Sequence, residues 1–310
     1  MRFAMVFPGQ GSQTVGMGHD LYEAFLECRE VFDAADSILG VGIKQLCFEG
    51  PLESLTETHH AQPALLTHSV AVLRLLQKHN IDASVVAGHS LGEYSALVAA
   101  GSLSFEDALR TVRRRGELMF ECGVQQPGAM AAILGLDLEK TQAVCDAVEG
   151  VCDVANINAP GQVVISGEVA AVEGAMQLCK DAGARIVKRL NVSGAFHSAL
   201  MHEPARQLAE TLDALKLENS GVPLVANVTA EPEQEASALR ELLKRQIASP
   251  VQWVQSMQAL RRIDSGHILE VGAGNVLTGL FKRIDKSAVC TAVSDRPSLE
   301  AFLEKTTTAP

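Results

Sequence analysis

The 310-residue sequence contains no uninterrupted run of about eighteen apolar residues, so no membrane-spanning helix is expected. It has no C-x-x-C pair. Its seven cysteines, at positions 28, 47, 122, 145, 152, 179 and 290, are scattered and odd in number, which points to reduced thiols in the cytoplasm rather than a disulfide framework. Metal-ligand spacing is also missing: His59 and His60 are adjacent and His197 and His202 lie five apart, so no metal is expected. Basic residues are outnumbered, 26 Lys and Arg against 37 Asp and Glu, and the net charge of −11 argues against nucleic acid as a partner. The glycines at 9, 11 and 16 miss a dinucleotide fingerprint by one residue, and no P-loop lysine follows them. The first seven residues are too short an apolar run for a signal peptide and read as a first core strand.

An apolar fraction of 47% with 20% charged residues is that of an ordinary globular enzyme. Its most informative stretch is Val85-Val86-Ala87-Gly88-His89-Ser90-Leu91-Gly92-Glu93. A short buried strand leads into G-x-S-x-G, and residues 93–100 read as helix, so Ser90 sits where a nucleophile elbow would place it. A following helix aims free N–H groups at negative charge growing beside the serine. The main-chain N–H of Leu91 is one expected oxyanion donor. The loop Pro8-Gly9-Gln10-Gly11-Ser12-Gln13, after the first strand, offers Gln10 as the second; a plain tight turn is the competing reading.

Residues 21–40 and 62–79 read as core helices, with His68 and His79 as structural residues. Residues 105–120 form a third helix, whose apolar stripe runs through Ala108, Val112, Gly116 and Met119. Arg115 falls on that stripe, whereas Arg113 and Arg114 read as solvated. A guanidinium facing a core needs an anion. It serves either a structural salt bridge or a planar grip on a substrate carboxylate.

Past Gln126 the order becomes β-α-β-β-α-β over residues 127–193, the split ferredoxin-like unit, read as a subdomain inserted between 1–126 and 194–310. Asn156 and Asn158 are expected as formers of its hairpin turn. His197 follows the insertion, 107 residues after Ser90, and suits a base that follows its serine. No acid between them stands at an obvious strand end, so a backbone carbonyl orients the imidazole or the triad reading fails. Farther on, 223–228 reads as strand, Pro250 as a first-turn proline, and 305–310 as a frayed tail.

Five ordered motifs resemble the malonyl-CoA:acyl carrier protein transacylases of type II fatty acid synthesis. They are Phe7-Pro8-Gly9-Gln10-Gly11-Ser12-Gln13; Gly88 to Glu93, with Arg115 25 residues after the serine; Asn156 to Gln162; Gly194-Ala195-Phe196-His197-Ser198; and Arg245-Gln246 ahead of Pro250-Val251-Gln252-Trp253. Ala273 departs from the usual Gly-Pro-Gly turn. The resemblance implies an α/β fold, a hydrolase-like parallel-sheet core with the ferredoxin-like insertion. It makes Ser90 the nucleophile, His197 the base, Arg115 the malonyl carboxylate clamp, and Gln10 and Leu91 the oxyanion hole. The main-chain carbonyl of Gln246 takes the place of the missing acid. Malonyl-CoA and acyl carrier protein are the implied partners, with no cofactor. That carrier protein is acidic, so a local basic patch is expected, at Lys180, Lys188 and Arg189 or at Lys282, Arg283 and Lys286. A thioesterase-like serine hydrolase and a non-catalytic acyl-CoA sensor are the alternatives.

Overall fold

The structure, a computed structural model, describes residues 1–192 and 194–307. Ser193, in the segment before the candidate base, and residues 308–310 of the tail lie outside the described residues. In chain order the strands are β1 Arg2–Phe7, β2 Asp82–Gly88, β3 Gly128–Leu134, β4 Cys152–Ala159, β5 Gln162–Glu168, β6 Ile186–Arg189, β7 Leu224–Val225, β8 Pro232–Glu233, β9 Ile268–Val271 and β10 Cys290–Val293. They form two sheets. The larger has the order β10-β9-β1-β2-β7-β8, parallel except at the β8 edge, and the smaller is antiparallel with the order β4-β5-β3-β6.

Strands β1 and β2 run into continuous apolar stretches, 3–7 and 85–87, because helices cover both faces of the parallel sheet. One face packs with Met5, Phe7 and Val86 into a core that includes Leu65, Leu66 and Leu97. The other packs Ala4, Val6, Val85 and Ala87 against Trp253, Met257 and Phe281. The smaller sheet has its own core of Ile133, Ile165, Val172 and Cys179. The segment before the helix at Trp253 bridges onto β4 of the smaller sheet through Val251, whose N–H donates to the Ala155 carbonyl at 2.9 Å while its carbonyl accepts from Ile157 N–H at 2.9 Å.

Several expectations are corrected. The helix expected over 21–40 is two helices, His19–Ala24 and Leu26–Leu39, because Phe25 is extended, ends the first and starts the second. The helix expected from 62 begins at Thr58 and carries Pro63 within it. A proline there leaves the His59 carbonyl without its helical donor. Arg113 Nη1 supplies one at 2.9 Å and also pairs with Glu117, so Arg113 is a strut rather than a solvated charge. Strand 223–228 shortens to Leu224–Val225, and Pro250 lies ahead of the helix Trp253–Ile263, outside its first turn. The helix Arg296–Thr307 continues into the segment expected to fray.

Candidate active site

Strand β2 ends at Gly88, the helix Gly92–Ala99 begins four residues later, and Ser90 occupies the turn between them with φ of 49°. That left-handed conformation is strained for serine, and the packing around it explains the flanking glycines. A Cβ on Gly88 would lie 1.9 Å from the Gly92 carbonyl carbon, and one on Gly92 would lie 2.1 Å from the Phe7 carbonyl oxygen. The elbow is thus pressed against β1 too tightly for any side chain. The N–H groups of Gly92 and Glu93 are used inside the turn, donating to the carbonyls of His89 and Ser90 at 2.9 and 3.1 Å. The Ser90 N–H donates to Asn227 Oδ1 at 2.7 Å.

His197 Nε2 is 2.8 Å from Ser90 Oγ. It too is in the left-handed region, with φ of 59°, and is buried. Its Nδ1 faces the main-chain carbonyls of Gln246 at 3.1 Å and Ser249 at 2.9 Å. Two carbonyl acceptors make Nδ1 the protonated nitrogen and leave Nε2 as the acceptor a base requires. No carboxylate among the described residues hydrogen-bonds this ring. Ser249 is an orienting group that sequence reasoning missed, since any residue supplies a main-chain carbonyl.

Arg115 is 1% exposed, on the buried face of the helix Phe105–Gln125. Its Nη1 donates to Gln62 Oε1 at 2.7 Å, and its Nη2 to Gln246 Oε1 at 2.9 Å and Ser90 Oγ at 3.0 Å. The guanidinium lies over the Tyr94 ring at 5.8 Å. Among the described residues, the acceptors that Arg115 meets are uncharged. A buried cation held by neutral oxygens keeps its charge available for a carboxylate, and no salt bridge to Arg115 is found among the described residues.

These groups line a cavity of about 340 Å³ with Gln10, Leu91, Met119, Met130, Asn156, Leu190 and Phe196. Gln10 side-chain Nε2 donates to Thr58 Oγ1 at 3.3 Å, which holds its loop over the pocket. Asn156 and Asn158 lie in β4 rather than in the hairpin turn. Asn156 lines the cavity, and Asn158 Oδ1 is 2.8 Å from Nε2 of His89, which lines it too. Gln62, Glu93 and Asn227 were not singled out in the sequence. Their signal was a lone polar residue within an apolar run, as in Val225-Ala226-Asn227-Val228, which burial makes costly unless the side chain is fully bonded. Elsewhere, Glu57, His59 and His60 bring ligand-type atoms within 4.8 Å of one another, but His60 Nδ1 already meets the Ser54 carbonyl at 3.0 Å.

Burial first, and then the charge of Arg115, push the His197 pKa down to about 3. Because the shift is downward, the neutral imidazole persists as pH falls well past its ordinary value. The pH profile of kcat/KM reports the free enzyme. Its acid limb is therefore expected well below ~6.5, the free imidazole value. Burst rates of enzyme acylation measured between about pH 5 and 8 check this, and a limb centred near 6.5 overturns it. Burial likewise raises the Glu93 carboxyl to about 7.

The profile of the acyl transferase domain family matches residues 4–304. The malonyl CoA-acyl carrier protein transacylase of Bacillus subtilis (strain 168) is 46% identical over 306 residues, covering 98% of this chain and 96% of its own. The chain belongs to the malonyl CoA-acyl carrier protein transacylase family. The Escherichia coli K12 transacylase is 45% identical over 306 residues, covering 98% of this chain and 99% of its own. Among solved structures, a malonyl-transacylase in complex with a holo type II polyketide synthase acyl-carrier protein superposes with a TM-score of 0.94 at 44% identity, covering 98% of this chain and all of its own. The acyl carrier protein S-malonyltransferase of Vibrio cholerae gives 0.93 at 43%, covering 97% and 100%. The family and the α/β fold expected from the five motifs therefore hold, and the relatives are acyltransferases rather than hydrolases.

Proposed function

We propose that this chain moves a malonyl group from malonyl-CoA to the pantetheine thiol of acyl carrier protein, through a malonyl ester on Ser90, and so supplies malonyl units for fatty acid synthesis. One observation carries the reading: a buried guanidinium, held by the neutral oxygens of Gln62 and Gln246, lies 3.0 Å from Ser90 Oγ. His197 Nε2 takes the Ser90 proton as Oγ attacks the thioester carbonyl, and the oxyanion forms against the N–H groups of Gln10 and Leu91. Collapse breaks the C–S bond, and His197 returns its proton to the departing CoA sulfur. The carrier thiol then gives its proton to His197 and attacks the ester by the same route in reverse, restoring Ser90. Arg115 grips the malonyl carboxylate with its planar fork throughout. Side chains and main-chain groups carry every step, so the scheme uses no cofactor.

The acidic carrier protein needs a basic landing site. Arg189 is paired with Glu173 at 2.6 Å, which weakens the patch it shares with Lys180 and Lys188. The patch of Lys282, Arg283 and Lys286 is the better candidate; its Arg283 bonds the neutral Gln162. We place the chain in the cytoplasm, where its seven unpaired thiols would stay reduced.

Product analysis tests the reaction. With malonyl-CoA alone, the chain should hold about one malonyl equivalent and release malonate slowly; added holo carrier protein should draw that malonyl onto its thiol. Malonate released at one rate with or without the carrier protein would instead identify a hydrolase.

A further inference from the structure

Glu93 lies three residues after the nucleophile and is 1% exposed. Its Oε2 accepts the main-chain N–H of Asn227 at 3.1 Å and Nε2 of Gln246 at 3.0 Å. Both partners are fully buried and reach the reacting groups. Asn227 brackets the elbow: its Oδ1 accepts the Ser90 N–H at 2.7 Å and its Nδ2 donates to the Gly88 carbonyl at 2.6 Å. Gln246 uses both ends of its amide. Nε2 also donates to the Ser90 carbonyl at 3.0 Å, and Oε1 accepts Arg115 Nη2 at 2.9 Å, while its main-chain carbonyl accepts from His197. Nucleophile, base and guanidinium are therefore each one residue removed from a single carboxyl oxygen.

That oxygen and the Ser90 carbonyl together set which way the Gln246 amide faces. An acceptor at Oε2 draws Nε2 toward Glu93 and leaves Oε1 for the guanidinium. With the Glu93 acceptor gone, only the Ser90 carbonyl holds Nε2, and the weakened amide more readily turns its NH₂ against the N–H groups of Arg115, donor against donor. We propose that Glu93 is a positioning residue for acyl selectivity: its buried acceptor oxygen locks the Gln246 amide and the Asn227 bracket, and so holds Arg115 in register with Ser90 and His197. The inference rests on the malonyl-transfer reading above. The role requires an oxygen acceptor and not a charge, so glutamine can fill it and alanine cannot.

The test compares Glu93→Gln and Glu93→Ala with the wild-type chain in burst acylation by malonyl-CoA and acetyl-CoA, with thermal melting as the folding control. Glu93→Ala should lower kcat/KM about 100-fold for malonyl-CoA but only about 10-fold for acetyl-CoA, so that the ratio falls about tenfold. Glu93→Gln should stay within about threefold of wild type with both substrates. Should Glu93→Ala fail to fold, Gln246→Ala, which keeps the main-chain carbonyl but removes the amide, must show the same fall in ratio. A folded Glu93→Ala with an unchanged ratio, a Gln246→Ala with an unchanged ratio, or a Glu93→Gln as impaired as the alanine variant overturns the proposal. A wild-type chain that takes up no malonyl group instead overturns the transfer reading.

Discussion

Replacing Arg115 with alanine should lower kcat/KM for malonyl-CoA by about 10³-fold and leave acetyl-CoA far less affected. The asymmetry follows from the state of the guanidinium before substrate arrives. It is buried, and its acceptors are the neutral oxygens of Gln62, Gln246 and Ser90. A malonyl carboxylate supplies the missing anion through two parallel charge-assisted bonds, and without Arg115 that carboxylate would enter a desolvated pocket unpaired. An acetyl group carries no such charge, so it makes no ion pair with Arg115 and loses little when Arg115 is removed. Some acetyl loss is still expected, because Nη2 also touches Ser90 Oγ and helps to place it. Arg115→Lys should fall between, since an ammonium keeps the charge and loses the fork. Burst acylation with the two thioesters measures both effects, and equal losses would remove the clamp from the mechanism.

Ser90→Ala should reduce transfer by about 10⁴- to 10⁶-fold and abolish the covalent intermediate. His197 Nε2 and Arg115 Nη2 both converge on the hydroxyl oxygen, at 2.8 and 3.0 Å, and alanine offers neither of them an atom that can form an ester. The backbone should stay as it is. Alanine meets the same left-handed φ that serine already tolerates, and the Gly88 and Gly92 contacts that shape the elbow do not involve the side chain. Intact mass spectrometry after brief exposure to malonyl-CoA gives the reading: one malonyl adduct on the wild-type chain and none on the variant. An adduct that survives in Ser90→Ala would place the nucleophile elsewhere.

The parts of the site that were legible in the sequence are those set by near neighbours. Strand, tight turn and helix around Ser90 are contiguous, so their apolar run and glycine spacing announce the elbow. Arg115 was visible for a similar reason, because helical periodicity alone puts it on the stripe with Val112 and Met119. The β-α-β-β-α-β order of the smaller sheet was legible from strand and helix periods, although strand ends shifted by a few residues. Where the reading failed, a residue's partner lay far away in the chain. The asparagines of β4 have the composition of a turn, and only the packing of β4 beside the elbow makes Asn158 a partner of His89, 69 residues away. Arg113 looked solvated until Pro63, on a neighbouring helix, left a carbonyl for it to cap.

By itself, then, the sequence determined the strand, turn and helix of the elbow, the β-α-β-β-α-β order of the smaller sheet, and the presence of a cation on a core-facing stripe, all of them consequences of local backbone preference and side-chain period; the α/β fold class came with the family resemblance. Tertiary structure decided which atoms meet. Ser90 is joined to His197 across 107 residues and to Asn227 across 137, and Glu93 to Gln246 across 153. Hydrogen bonds reach only about 3 Å, so partners this distant in the chain are chosen by the order in which the strands assemble, and no pattern of neighbouring residues encodes that choice.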